Sequence, residues 1–277
     1  MPPSIAFRAG LILPLVALSA CASMPIRQGG ALTSYDGLTT HKGRQTRAQL
    51  RVEKDRVLAS KTVRITPTRF GDGVGSDLSN KERMLVANRV DRALCRGLAA
   101  RFEVVGPDEP ADLSVQTVIT DLGKTSKAAA GASVLASFVS AVPLVSPRVP
   151  FGMGSLGIEA EALDPAGRQA AAMLWTGKAQ AIGFLSSPSV SKVGDAYQLS
   201  AAFGGHFSRM LTTGRSPFKG GPRVKLPKLK EKRDADCKVF GKDGGILGMV
   251  ADNFGAPPGW TDKGARKARS QASEAGQ

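Results

Sequence analysis

The stretch Leu113-Ser114-Val115-Gln116-Thr117-Val118-Ile119-Thr120 sets Leu113, Val115, Thr117 and Ile119 against Ser114, Gln116, Val118 and Thr120 in strict alternation. A period of two marks a β-strand, because successive Cβ atoms point to opposite faces. Working outward, two more strands are expected at 155–163 and 170–182, separated by Asp164-Pro165-Ala166-Gly167. That tetrapeptide suits a type I turn, with proline second and glycine last, so the two strands form a hairpin. Val63 and Ile65 alternate within 61–68, and Phe102 to Val105 begins a short strand that Gly106-Pro107 ends.

Helical spacing appears twice. Ser79 and Glu82 form a capping box, in which the serine oxygen accepts a backbone N–H and the glutamate reaches back. Met84, Ala87, Val90, Leu94 and Leu98 follow on one face, and Arg83, Arg89, Arg92 and Arg96 are expected elsewhere on the helix surface. Lys192 to Thr212 carries Val193, Ala196, Leu199, Phe203, Phe207 and Met210 at the same period. Gly204 and Gly205 weaken this helix, each by up to about 1 kcal/mol relative to alanine, and are expected to allow close packing on the sheet. The expected fold is therefore α+β: a mainly antiparallel sheet packed with two main helices over 32–213, with an extended basic, partly disordered C-terminal tail over 214–277.

The N-terminus carries a different message. Arg8 and the amine form a positive region, Leu11 to Leu18 an apolar one, and Ser19-Ala20 supply small residues before Cys21. The apolar run falls short of the roughly 20 residues of a membrane span. Residues 1–20 thus read as a lipoprotein signal peptide and Cys21 as the lipidation site. An ordinary secretory signal with a chance cysteine is the competing reading. Each buried acyl CH₂ contributes about 0.8 kcal/mol, and two or more chains anchor stably. Ala22 in place of aspartate favours the outer membrane, with the domain on the periplasmic face. Residues 21–31 read as a spacer that lets the domain stand off the bilayer, since Pro25, Gly29 and Gly30 discourage regular structure.

The chain has 277 residues and a formal net charge of +15. From Thr213 to Gln277 there are 14 Lys or Arg against 7 Asp or Glu, so about half the excess lies in the tail. Lys219, Arg223, Lys225, Lys228, Lys230, Lys232 and Arg233 make a basic arm suited to anionic lipid, lipopolysaccharide or a cell-wall polymer; plain solubilisation is the alternative. Export argues against nucleic acid. With Cys21 acylated, Cys95 and Cys237 remain of the three cysteines. An oxidising compartment invites them to pair; two unrelated thiols are the other reading.

Three segments stand apart. Leu32, Tyr35 and Leu38 recur every third residue and suit a short turn laid on the core. His41 to Ser60 is densely charged and is expected to be exposed. Ala128 to Pro147 has no charged residue; it reads either as a small-residue helix under the domain or as a contact with a membrane or partner.

The order of a lipoprotein signal, Leu32-x-x-Tyr35-x-x-Leu38, a strand, a capped helix and the strand 112–121 resembles a proteobacterial lipoprotein family catalogued as domain of unknown function 3313. Asp36 stands where members commonly have serine. The likeness runs from about Gly30 to Thr212. It implies an α+β envelope lipoprotein and supplies no activity.

No catalytic, metal or cofactor motif appears. His41 and His206 lack metal-ligand spacing, Gly71-Asp72-Gly73-Val74-Gly75 lacks the Lys-Ser/Thr of a phosphate loop, and Glu159 with Glu161 reads as two solvent-facing carboxylates. The expected function is a non-enzymatic structural or adaptor lipoprotein with a possible envelope protein partner. A lipid-handling accessory of a transport or assembly machine is the alternative, using 128–150 and the basic arm. An enzyme ranks last.

Overall fold

The computed structural model describes residues 25–43, 46–125, 145–147, 153–179, 182–184, 191–218, 237–241 and 256–262. Among them the strands are β1 (Thr39–Lys42), β2 (Thr46–Val52), β3 (Thr62–Ile65), β4 (Arg69–Phe70), β5 (Glu103–Val105), β6 (Leu113–Gly123), β7 (Val145–Pro147), β8 (Ser155–Leu163), β9 (Gln169–Lys178) and β10 (Ile182–Phe184). The helices are α1 (Lys54–Ala59), α2 (Asn80–Leu98), α3 (Gly194–Thr213) and α4 (Pro258–Thr261), with a 3₁₀ turn at Cys237–Phe240.

The alternating stretch 113–120 becomes β6, near the middle of an eight-stranded sheet ordered β1-β2-β9-β8-β6-β3-β5, with β4 also beside β6. From β1 to β6 all pairs are antiparallel. β3 runs parallel to β5 and β6, and β4 parallel to β6. The parallel edge has a covalent cause: α2 carries the chain back between β3 and β5, and parallel neighbours need such a crossover. The β8–β9 hairpin closes where expected. Gly167 donates to the Asp164 carbonyl at 2.9 Å and sits at φ +75°, a conformation glycine adopts without cost.

Helix α2 begins with the capping box, Glu82 N donating to Ser79 Oγ at 3.3 Å and Ser79 N to Glu82 Oε2 at 2.9 Å. Its apolar face and that of α3 cover one side of the sheet. Leu94, Leu98, Phe203 and Phe207 meet Val115, Ile119, Ile158, Met173 and Trp175 in the main core. The close helix approach occurs between α2 and α3: a Cβ on Gly204 would fall 2.4 Å from Ala93 Cβ, and one on Gly97 equally near Ser208. Gly204 therefore serves helix–helix contact and not the sheet, while the space beside Gly205 is open. The matches Ala93 with Gly204 and Gly97 with Ser208 run in the same sense, so α2 and α3 are parallel.

Several expectations change. The described residues of 41–60 belong to the fold: they supply half of β1 and all of β2 and α1, with Ala48, Leu50 and Val57 buried. Charged neighbours hid a period of two in Ala48, Leu50 and Val52. Arg92 is not on the surface; it is 1% exposed. The tail is not wholly separate either, since Phe218, Cys237, Phe240 and Asp262 all contact the domain.

Candidate functional site

The side of the sheet away from α2 and α3 is closed by the N-terminal segment Ile26–Leu38, here called the strap. On β8, Ile158, Ala160 and Ala162 face the helices, so Glu159 and Glu161 must face the strap. They are buried, not solvent-facing. Their oxygens are met by donors from the strap. Glu159 accepts from Gly29 N, from Ala31 N at 2.9 Å and from Tyr35 Oη at 2.7 Å. Glu161 Oε2 accepts from Thr33 N at 2.9 Å, Thr33 Oγ1 at 2.7 Å and Gln169 Nε2 at 2.7 Å. Burial and the Glu159 carboxyl raise the pKa of Tyr35, which keeps its hydroxyl a donor.

Leu32, Tyr35 and Leu38 complete the clamp by packing with Ile26 against Ala172 and Leu174 of β9. Arg51 closes its far end, donating to the Asp36 carbonyl at 2.8 Å and to Gln169 Oε1. Asp36, at the position that departs from the family pattern, has an exposed side chain that accepts from Ser34 Oγ at 3.1 Å. Gly29 is needed for approach: a Cβ there would lie 2.5 Å from Thr120 Cγ2. Residues 29–31 are thus part of the domain and no spacer. The strap's first residues border a cleft of about 450 Å³ lined by Pro25, Arg27, Gln28, Thr120, Asp121 and Thr176, among others. Its walls offer a guanidinium, amide, hydroxyls and a carboxylate, chemistry for holding polar groups; no nucleophile–base pair is among those residues.

A second clasp fastens the C-terminal segments to the helices. Cys95 and Cys237 form a disulfide with Cα atoms 5.8 Å apart. Arg92 donates to the Phe240 carbonyl at 3.0 Å and pairs with Asp262, which also accepts from Tyr197 Oη at 2.7 Å. Arg89 lies over the Tyr197 ring, 5.0 Å from its centroid. Burial raises the Tyr197 pKa well above the usual phenol value. Burying Arg92 alone would be costly, and the carboxylate and carbonyl offset that.

The two histidines meet around an aromatic cluster. His41 stacks on Phe218 at 4.1 Å, and the His206 ring lies 4.7 Å from the same phenyl. Trp175 Nε1 donates to His206 Nδ1 at 3.1 Å. Burial, with Arg209 and His41 nearby, lowers the His206 pKa to about 4. Neutral His206 therefore acts as a hydrogen-bond acceptor in the packing.

Cys21, the arm residues Lys219, Arg223, Lys225, Lys228, Lys230, Lys232 and Arg233, and most of 128–150 lie outside the described residues. Among the described residues no cluster of three His, Cys, Asp or Glu could hold a metal ion, and no helix is long and apolar enough to cross a membrane. Sequence reasoning anticipated the Cys95–Cys237 link and the packing of Leu32, Tyr35 and Leu38, and missed the carboxylates that hold the strap and the Arg92–Asp262–Tyr197 cluster. β8 did carry a signal: Ser-Leu-Gly-Ile-Glu-Ala-Glu-Ala-Leu has no polar side chain except Ser155 and the glutamates, the composition of a strand covered on both faces. Tyr197 and Asp262 gave none, being 65 residues apart.

The family model described as "Protein of unknown function (DUF3313)" matches residues 27–207. No curated protein matches the chain. Among solved structures, the PelC dodecamer from Paraburkholderia phytofirmans is similar at 10% identity, covering 58% of this chain and 95% of that one, with a TM-score of 0.32. A single-substitution variant of the same dodecamer gives 11% identity, 57% and 95% coverage and a TM-score of 0.29. Likeness at this level carries no argument about activity.

Proposed function

The chain belongs to the DUF3313 family of proteins of unknown function, and on that premise we propose that it is an envelope lipoprotein, anchored through acylated Cys21 in the outer membrane and facing the periplasm. It works as a non-enzymatic structural or adaptor module. The observation that carries this reading is the strap. Only three residues separate Cys21 from Pro25, a link of at most about 14 Å when fully extended. Beyond it the chain is pinned to the sheet by Glu159 and Glu161. An anchor joined this closely keeps the strap's end of the domain within about 14 Å of the lipid, which suits a docking part better than a free-ranging one. The lipid-handling alternative draws on 128–150 and the basic arm and gains nothing from the strap.

The test is mass spectrometry of the N-terminus of protein purified from bacterial membranes, beside a Cys21→Ala variant. The expected wild-type species begins at Cys21 and carries acyl chains, while the variant keeps residues 1–20. A wild-type protein with an unmodified Cys21 overturns the reading.

A further inference from the structure

One end of the molecule gathers features that the strap does not explain. The strap enters there, at Thr120 and Asp121 near the end of β6. Just beyond, Lys124 pairs with Asp77, in the turn that leads through Leu78 to the Ser79 cap of α2. Thr125 N donates to the Lys192 carbonyl at 2.9 Å, and Thr125 Oγ1 to Asp195 at 2.9 Å, which brings the start of α3 to the same end. The short helix α4 sits there too, with Gly259 against Lys81 and Leu85 in the first turns of α2. Entry of the lipid-linked strap, the starts of both long helices and α4 therefore share one pole.

At this pole stands Trp260, which is 74% exposed. Among the described residues the only other exposed large apolar side chain is Val239, at 63%. Val239 adjoins Phe240, whose carbonyl accepts from the same Arg92 guanidinium that pairs with Asp262, so it lies at the clasp. Trp260 is not on a loose end. Its N–H donates to the Pro257 carbonyl at 2.9 Å, and two residues later Asp262 is buried against Arg92 and Tyr197. A buried ion pair near the disulfide thus fixes the backbone that carries this exposed indole.

We propose that Trp260 is a second membrane contact, inserted in the headgroup layer of the bilayer that holds acylated Cys21, so that this pole rests on the lipid surface. The proposal rests on the lipoprotein reading. Indole suits that layer, having an apolar body and one N–H donor. With Cys21 acylated, the short link to Pro25 keeps the strap's entry, and so this pole, within about 14 Å of the lipid. Exposed Arg27 and Lys81 add positive charge towards lipid phosphate, and Asp72, Asp77 and Asp121 limit that contribution.

The chain has two tryptophans, and Trp175 is 1% exposed, so quenching separates them. Full-length protein purified from bacterial membranes is reconstituted in phosphatidylethanolamine–phosphatidylglycerol vesicles, with or without lipids brominated near the headgroup. Acylation of Cys21 is read by mass spectrometry on the same sample. The expected result is loss of the Trp260 share of emission with brominated lipid and shielding from aqueous iodide; Trp260→Phe abolishes the loss. Iodide quenching without bromolipid quenching, on acylated protein, overturns the membrane contact alone. Shielding from both quenchers assigns Trp260 to a protein partner and also overturns it. An unacylated Cys21 removes the reading beneath it.

Discussion

The two faces of the sheet are closed by different chemistry. On the helix side, Leu94, Leu98, Phe203 and Phe207 bury apolar surface against β6, β8 and β9. On the strap side, two carboxylates gather backbone and side-chain donors from a segment without regular structure. Apolar burial is non-directional and scales with area, so it stabilises the fold without fixing where any one backbone atom lies. Hydrogen bonds to a carboxylate require distance and angle, so the strap side fixes the path of the chain towards Cys21. The helix side supplies stability; the strap side supplies position.

The largest expected effect strikes the helix side. Removing the Cys95–Cys237 bond by a double Cys→Ser substitution opens a closure spanning 142 residues. In the chain-entropy view this costs about 5 kcal/mol, less if the unfolded chain is compact. Denaturant unfolding should show a large fall in midpoint while strap contacts persist before the transition. An unchanged midpoint would place the disulfide outside the stabilising set.

A smaller effect is expected on the strap side. Glu159→Ala leaves Gly29 N, Ala31 N and Tyr35 Oη without their acceptor. Bonds to charged groups contribute about 1.5–3 kcal/mol each when water is kept out. Water reaches the outer side of the strap, so a total loss of about 1–3 kcal/mol is expected. It should appear as earlier proteolysis within 25–38 and little change in the global midpoint. A global loss as large as that of the disulfide variant would erase the distinction between the faces.

The smallest effect at neutral pH, growing with acid, concerns His206. Its folded pKa of about 4 lies below the ordinary histidine value of about 6.5, so the unfolded chain binds the proton first. The stability it contributes is complete above about pH 6.5 and is lost as pH falls towards 4. Asp91 acts in the opposite sense. Burial pushes its carboxyl up to about 7 against the hydrogen bonds from Thr68, so stability falls as pH rises from about 4 to 7. Subtracting the melting profile of His206→Asn from that of wild type isolates the imidazole. The difference should be constant above about pH 6.5, and the wild type should lose stability relative to the variant as pH falls towards 4; a flat difference contradicts the assignment.

Legibility followed the same division. Val115, Ile119, Leu94 and Leu98 announced the helix side because apolar periodicity is a local signal. The Asp164–Gly167 turn and the Ser79 capping box were readable for the same reason. Ala48, Leu50 and Val57 were hidden by flanking charges. The parallel edge followed from the crossover through α2, not from any property of β3 or β5 alone. Glu159 and Glu161 looked like solvent-facing residues because their donors in the strap lie over 120 positions away in the chain. Arg92 escaped notice because Asp262, 170 residues on, carries no mark of its role.

The central claim is that the strap is fixed to the sheet by the two glutamates, so that residues 29–35 belong to the body of the domain. Amide hydrogen exchange at Gly29, Ala31 and Thr33 tests it most directly. The account predicts clear protection of all three amides in the wild type, with protection of Gly29 and Ala31 lost in Glu159→Ala while the amides of β6 and β9 stay protected. Wild-type amides at 29, 31 and 33 exchanging as fast as an unstructured peptide would contradict it, and the segment after Cys21 would then be a loose tether.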